Sequence, residues 1–352
     1  MSLRIKSINY SIVSTLPKTA LAIETSCDET AFAYFEVGEN LVKLVAHSLY
    51  SQAGEHSEFG GVVPHMAARL HYKKIPTVFH TLVQAIRDQG KHFAPEVILV
   101  TDGPGLSPSL WTGVNQALIL SEALGVPVYG INHMHGHLLS GFFDKVSQTF
   151  EFELSVENSL GVLISGGHTD FLEVKDWGRY KWLGGTQDDA IGEAFDKVAK
   201  MLELGYPGGP IVSQRAMEGN SQAFDFPLPM LHSKALMMSY SGLKTAVLYK
   251  VQDYHKKHSV LDDTFVNDIC ASFQRAAVDV LVKKITFAIE QHQPSRVLLG
   301  GGVIANPYLK SELGALAEKK SVDLTMAQGV LTSDNAIMIG VAGLLHLYHG
   351  VD

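Results

Sequence analysis

The chain has 352 residues, 46% of them hydrophobic and 18% charged, with a formal net charge of −8. The length fits about two or three domains of roughly 150 residues, and the acidic balance excludes nucleic-acid binding by the surface as a whole, so an RNA substrate needs a local basic patch or a partner protein. No apolar run of about 18 residues occurs, which excludes a membrane-spanning helix, and Cys27 and Cys270 are too far apart to suggest a disulfide framework, which fits a reducing, cytoplasmic setting.

The first 18 residues carry Arg4, Lys6 and Lys18, several serines and no acid. They echo an organelle transit segment but lack a signal peptide's apolar core, and read as a short disordered or edge-strand lead. Residues 19–25 (TALAIET) form a buried strand. A Ser-Cys-Asp-Glu turn and a second strand (31–37) follow. A long helix (66–89), a strand (96–101), a Gly/Pro turn (102–108) and a helix to residue 124 come next. The strand 126–131 leads into His133-Met134-His135-Gly136-His137. Residues 160–165 (LGVLIS) are again a buried strand, followed by a small turn and a return strand (170–174). Helices at 189–204 and 208–219, a Pro/His/Met-rich excursion (224–238), a helix from 243 and a long helix (262–292) follow. A strand (296–299) enters three glycines, and helix 306–319, strand 323–326 and helix 334–348 close the chain. Strands alternating with helices make the fold α/β. The repeated opening of strand, small polar turn and strand predicts two related halves facing a cleft. One spans residues 19–150, completed by the C-terminal helix (333–352). The other spans residues 151–332.

The histidine stretch carries the sharpest chemistry. On a helix, His133 and His137 lie one turn apart on one face and reach a single metal ion, while His135 points elsewhere. A zinc protease needs Glu directly after the first His as its general base, and Met134 stands there. The site needs a third ligand; Asp334 is a candidate, although its position before the last helix equally suits a cap. Ser165-Gly166-Gly167-His168-Thr169 ends a buried strand, either as an anion-binding turn or as a plain hairpin. Gly300-Gly301-Gly302 ends another and leads to Asn306, an N-cap or a hydrogen-bonding group for a base or ribose. Asp189, Glu193 and Asp196 fall near one helix face, solvated or turned to a cleft. Gly208 and Gly209 precede a helix whose first N–H groups can face a ligand. Lys234, Lys244, Lys250, Lys256 and Lys257 are candidate phosphate contacts.

Taken in order, AIETSCDET (22–30), FGGVVP (59–64), GPGLSPSL (103–110), INHMHGHLL (131–139), SGGHT (165–169), GEAFDK (192–197), YPGGP (206–210), YSGLKTA (240–246), ASFQ (271–274), GGVIAN (301–306) and SDNAIMI (333–339) resemble one family. It is the catalytic subunit of tRNA adenosine N6-threonylcarbamoyltransferase, formerly labelled a glycoprotease. The resemblance implies a duplicated actin-like fold of the sugar-kinase/Hsp70 (ASKHA) type. It implies transfer of threonylcarbamoyl from threonylcarbamoyl-AMP to N6 of the adenosine beside the anticodon in tRNAs reading ANN codons. It implies one divalent metal, Fe2+ or Zn2+, on His133, His137 and Asp334. It places the nucleotide along Ser165, Gly166, Gly167, His168 and Thr169, with Asp196, Gly209 and Asn306 in contact. An inactive paralogous ASKHA-fold subunit and a small ATPase are the implied partners, beside tRNA. The catalytic base is not fixed by the motifs; Asp28 and Glu29 are candidates. The chain departs from the family at His65, Pro108, Leu118 and His135. The other readings are a metalloprotease and a non-catalytic partner subunit of the same fold.

Overall fold

A computed structural model describes residues 16–231, 233 and 235–351; the lead expected over residues 1–15 lies outside them. Strand β1 (Thr19–Glu24) is apolar from Ala20 to Ile23 and buried from Ala20 onward, as a central strand must be. It pairs antiparallel with β2 (Glu29–Val37), which continues into β3 (Leu41–Ser51), and parallel with β4 (Val97–Gly103). With β5 (Val128–Asn132) and β6 (Thr149–Glu151) these form a six-stranded sheet in the order β5-β4-β1-β2-β3-β6. The second sheet holds β7 (Ser159–Ile164), β8 (Thr169–Asp176), β9 (Arg179–Gly185), β10 (Arg296–Gly300) and β11 (Asp323–Met326), in the order β11-β10-β7-β8-β9. Without β6 the two orders coincide. Each sheet is a three-strand meander with two parallel strands added beyond its first strand.

The helices follow from which faces are apolar. After the single turn α1 (Ala53–His56), α2 (Pro64–Asp88) buries Ala67, His71, Ile75, Val78, Leu82 and Ile86, a stripe at helical spacing. With α3 (Ser107–Leu124) it covers the outer face of the first sheet, over Ile23, Phe32 and Ile98. On the second sheet α5 (Ile191–Met201), α6 (Gly208–Ala216), α7 (Ser241–His255), α8 (Asp263–His292) and α9 (Pro307–Lys320) build the outer layer. Between the sheets lie α4 (His133–Leu139) and α10 (Ala336–His349). Their side chains join Ala20 and Leu99 of one sheet with Leu163 and Leu298 of the other in one core. Helix α10 is buried from Ala336 to His346, so its apolar run is a core helix. No described helix is long and apolar enough to cross a membrane.

Three strands, β3, β6 and β9, are absent from the sequence reading. In β3 the register shift against β2 at Tyr34/Phe35 places Leu44, Val45 and Ala46 all inside, which breaks the two-residue alternation that marks a strand. Helices α5 and α10 start two residues later than expected. Asp189 lies ahead of α5, and Asp334 lies ahead of α10 because Asn335 is the cap, its Oδ1 accepting from Met338 N–H at 3.0 Å.

Candidate metal centre and the cleft

Helix α4 begins directly after β5 because Asn132 Oδ1 accepts from the N–H groups of Met134 and His135, at 2.9 and 3.3 Å. The helix then carries His133 and His137 on one face, with ring centroids 4.7 Å apart. Asp334, freed from capping, places Oδ1 3.0 Å from His137 Nε2 and 3.5 Å from His133 Nε2. The three residues each offer a donor atom within 4.8 Å of the others. His135 lies away from them, its ring 4.2 Å from Tyr180 and 5.3 Å from His346.

Negative charge accumulates around this triad. Glu24, at the end of β1, is fully buried, and its Oε2 lies 3.2 Å from His133 Nδ1. Burial opposes charge on His133, but the Glu24 and Asp334 carboxylates outweigh it and hold the imidazolium well above its ordinary range. Burial likewise pushes the Asp334 carboxyl up, yet His133 and His137 overcome it and hold that group far down. Beside them, burial first and then the Asp334 and Asp28 carboxylates push the Glu29 carboxyl well up. Burial, Asp28 and Asp334 also drive the Cys27 thiol far up. Within 4 Å of Glu24 and Asp334 the described residues place only histidines as cationic partners. Two imidazole nitrogens and a carboxylate in an acid-rich pocket fit a divalent cation, and the set suits iron and zinc alike.

A cavity of about 480 Å³ opens over the triad, lined also by Cys27, Asp28, Glu29, Tyr206 and the SGGH turn. A second of about 450 Å³ adjoins it and includes Gly192, Asp196, Gly209 and Asn306. Gly166, Pro207 and Gly302 line both, so the two form one cleft. Ser165 N–H donates to His168 O at 2.8 Å, and His168 N–H to Ser165 Oγ at 3.0 Å, which closes the turn with Gly166 and Gly167 at its tip. A Cβ on either glycine would meet nothing within 4 Å, so protein packing does not require glycine there; the free space faces the cleft. Gly301 is different, with φ +103° and Ile164 O 2.5 Å from where its Cβ would stand.

Several side chains expected at the ligand have structural work as well. Thr169 is buried and its Oγ1 accepts from Ile191 N–H at 3.0 Å, starting α5. Asp196 Oδ1 accepts from Gly208 and Gly209 N–H, at 2.8 and 3.3 Å, and so caps α6 from the neighbouring helix. Asn306 is the N-cap of α9, its Oδ1 accepting from Leu309 N–H at 3.0 Å and its Nδ2 donating to Gln274 Oε1 at 2.7 Å. Asp189 and Glu193 do not join Asp196 in the cleft. Lys197 pairs with both, and Lys244 pairs with Asp189. That engages Lys244, and Lys256 pairs with Asp253 at 2.7 Å; Lys234 lies outside the described residues. The sequence reading passed over Glu24. A carboxylate inside the apolar strand TALAIET was the available signal, because such a residue is seldom buried without a partner.

Two sheets of one topology, helices outside and a cleft at their turns define an actin-like, ASKHA-type fold. T. kodakarensis HypF shares it, with a TM-score of 0.58 at 12% identity over 96% of this chain and 49% of that one. The chain belongs to the tRNA N6-adenosine threonylcarbamoyltransferase family (TsaD), whose sequence profile matches residues 43–341. The enzyme of that name from Trichlorobacter lovleyi is 43% identical over 94% of this chain and 92% of its own. Those from Chromobacterium violaceum and Thermosipho africanus are 43% and 40% identical, covering 93% and 92% of this chain and 92% of each relative. The chain is accordingly a transferase that modifies tRNA adenosine at N6, and the protease and non-catalytic readings fall away.

Proposed function

We propose that this chain takes the threonylcarbamoyl group from threonylcarbamoyl-AMP and passes it to the adenosine beside the anticodon of tRNAs reading ANN codons. The observation that carries the reading is the shared lining of the two cavities, which puts the His133/His137/Asp334 triad and the glycine turns in one cleft. A protease has no use for the second glycine turn, and a kinase has none for the histidine pair. Acyl transfer from an acyl-adenylate uses both.

His133, His137 and Asp334 would hold one divalent ion, Fe2+ or Zn2+, which supplies Lewis-acid polarisation of donor oxygens and charge stabilisation for departing AMP. Ser165, Gly166, Gly167, His168 and Thr169 would lie along the donor, with N–H groups replacing water around its phosphate. Asp196, Gly209 and Asn306 line the adjoining cavity and would hold the adenosine part. Asp28 and Glu29, both lining the cavity over the triad, are the candidates to take the proton from the acceptor amine. The two halves would divide near residue 151, with 333–352 packed back on the first. A paralogous subunit of the same fold and a small ATPase are the expected partners, in the cytoplasm. Elemental analysis of protein purified without chelator should find about one metal per chain. Loss of that metal in the double variant His133→Ala/His137→Ala supports the reading, and full retention refutes it.

A further inference from the structure

We infer that Glu24 is a positioning residue for the metal centre, acting through His133; the inference rests on the metal reading above. Glu24 ends β1, is 0% exposed, and none of its described partners is a lysine or arginine. Its Oε1 accepts from Ser26 N–H, and its Oε2 from Thr101 Oγ1–H at the end of β4. The same Oε2 lies 3.2 Å from His133 Nδ1. Two strands of the first sheet and the turn between β1 and β2 therefore fix the carboxylate before it meets the histidine.

A carboxylate only accepts hydrogen bonds, so the nitrogen facing it carries a proton. For a His133 that holds a metal, that assigns the remaining N–H to Nδ1 and makes Nε2, on the side where Asp334 and His137 stand, the ligand nitrogen; without the metal the Asp334 carboxylate holds a proton on Nε2 as well. Ser26 Oγ, 3.1 Å from the same Nδ1, can donate or accept and so does not set the tautomer by itself. The arrangement is a carboxylate–histidine pair of the kind that orients metal-binding imidazoles and raises their basicity. His137 has no equivalent. Its Nδ1 is buried without a hydrogen-bond partner among the described residues, so the oriented ligand of the pair is His133.

Glutamine in place of Glu24 keeps the shape and breaks this logic. With its NH2 at the Oε2 position it presents a donor to His133 Nδ1–H. With its NH2 at the Oε1 position it presents a donor to Ser26 N–H. Either way one donor faces another, and relief on the His133 side puts the proton on Nε2, where a ligand lone pair is needed.

The test measures Zn2+ affinity of the metal-stripped full chain by competition with a chromophoric chelator, in wild type, Glu24→Gln, His133→Ala and the double variant. Glu24→Gln should bind roughly 10–100-fold more weakly than wild type. Because the effect passes through His133, adding Glu24→Gln to His133→Ala should cost little more, a non-additivity that a merely structural role would not produce. If Glu24→Gln does not fold, Thr101→Val keeps the charge and removes one anchor. It should lower affinity by a few-fold and show the same non-additivity. Wild-type affinity in the folded variant, or additive losses, would overturn the inference while leaving the metal reading intact. Absence of Zn2+ binding by the wild type would overturn the metal reading and this inference with it.

Discussion

Gly300→Ala isolates how closely the metal centre depends on the second sheet. Gly300 ends β10, and a Cβ there would lie 2.5 Å from His137 O, 2.6 Å from His137 C and 2.9 Å from Leu138 N. All three are backbone atoms of α4, so no side chain can swing away. Cβ contacts under 3.0 Å are essentially never seen and ordinary contact begins at 3.4 Å, so relieving the 2.5 Å carbonyl contact moves β10 and α4 apart by about 0.5–0.9 Å. Overpacking of that kind costs about 1–3 kcal/mol, and metal ligands tolerate only about 0.5 Å of displacement. The variant should therefore lose a few degrees of thermal stability and bind Zn2+ at least about tenfold more weakly, by scanning calorimetry and chelator competition. Gly167→Ala is the control. Its Cβ meets nothing within 4 Å, so stability should hold while adenylate binding falls. Wild-type stability and metal affinity in Gly300→Ala would refute the reasoning.

Asn306→Ala removes both the cap of α9 and the amide that lines the second cavity. It should weaken adenylate binding by roughly 1–3 kcal/mol by calorimetry and stability by about 1 kcal/mol; unchanged adenylate affinity would place the nucleotide elsewhere. Burial, with His135 and His349 nearby, lowers His346 from an ordinary 6.5 to about 3. The unfolded chain then takes up a proton that the folded one refuses, so stability falls as pH drops below 6.5, by on the order of 2 kcal/mol at pH 5. Urea unfolding of His346→Leu should show a flatter acid side, and an unaltered profile would exclude this group as the cause. The isolated chain, at net charge −8, should bind tRNA weakly and with steep salt dependence. Sub-micromolar binding at physiological salt with no partner present would contradict that.

What the sequence showed and what it hid have physical reasons. The strands β1 and β7 were legible because both are continuous apolar runs ending in small polar turns, and their matched openings do begin sheets of one topology. The His133/His137 pair was legible from helical spacing alone. Asp334 stood there as a candidate third ligand that the motif resemblance favoured, but by position alone a residue before an apolar helix reads equally as a cap. Only the structure shows Asn335 taking that role and leaving Asp334 to the histidines. Asp189, Glu193 and Asp196 shared a helical face on paper. The later start of α5 and the reach of Lys197 and Lys244 sent the first two away from the cleft. Glu24, Thr101 and His133 come from three separate strands and helices, so no local pattern could join them.

The triad and the glycine-lined cleft are proposed to carry out acyl transfer to tRNA together. The most direct measurement is nucleoside mass spectrometry of unmodified tRNA incubated with threonylcarbamoyl-AMP, the partner subunits, and either the wild-type chain or folded His133→Ala/His137→Ala. Wild type should produce N6-threonylcarbamoyladenosine, and the double variant should produce at least about a hundredfold less, as expected when a Lewis acid is lost. Equal product from both, or none from the wild type with its partners present, would contradict the account.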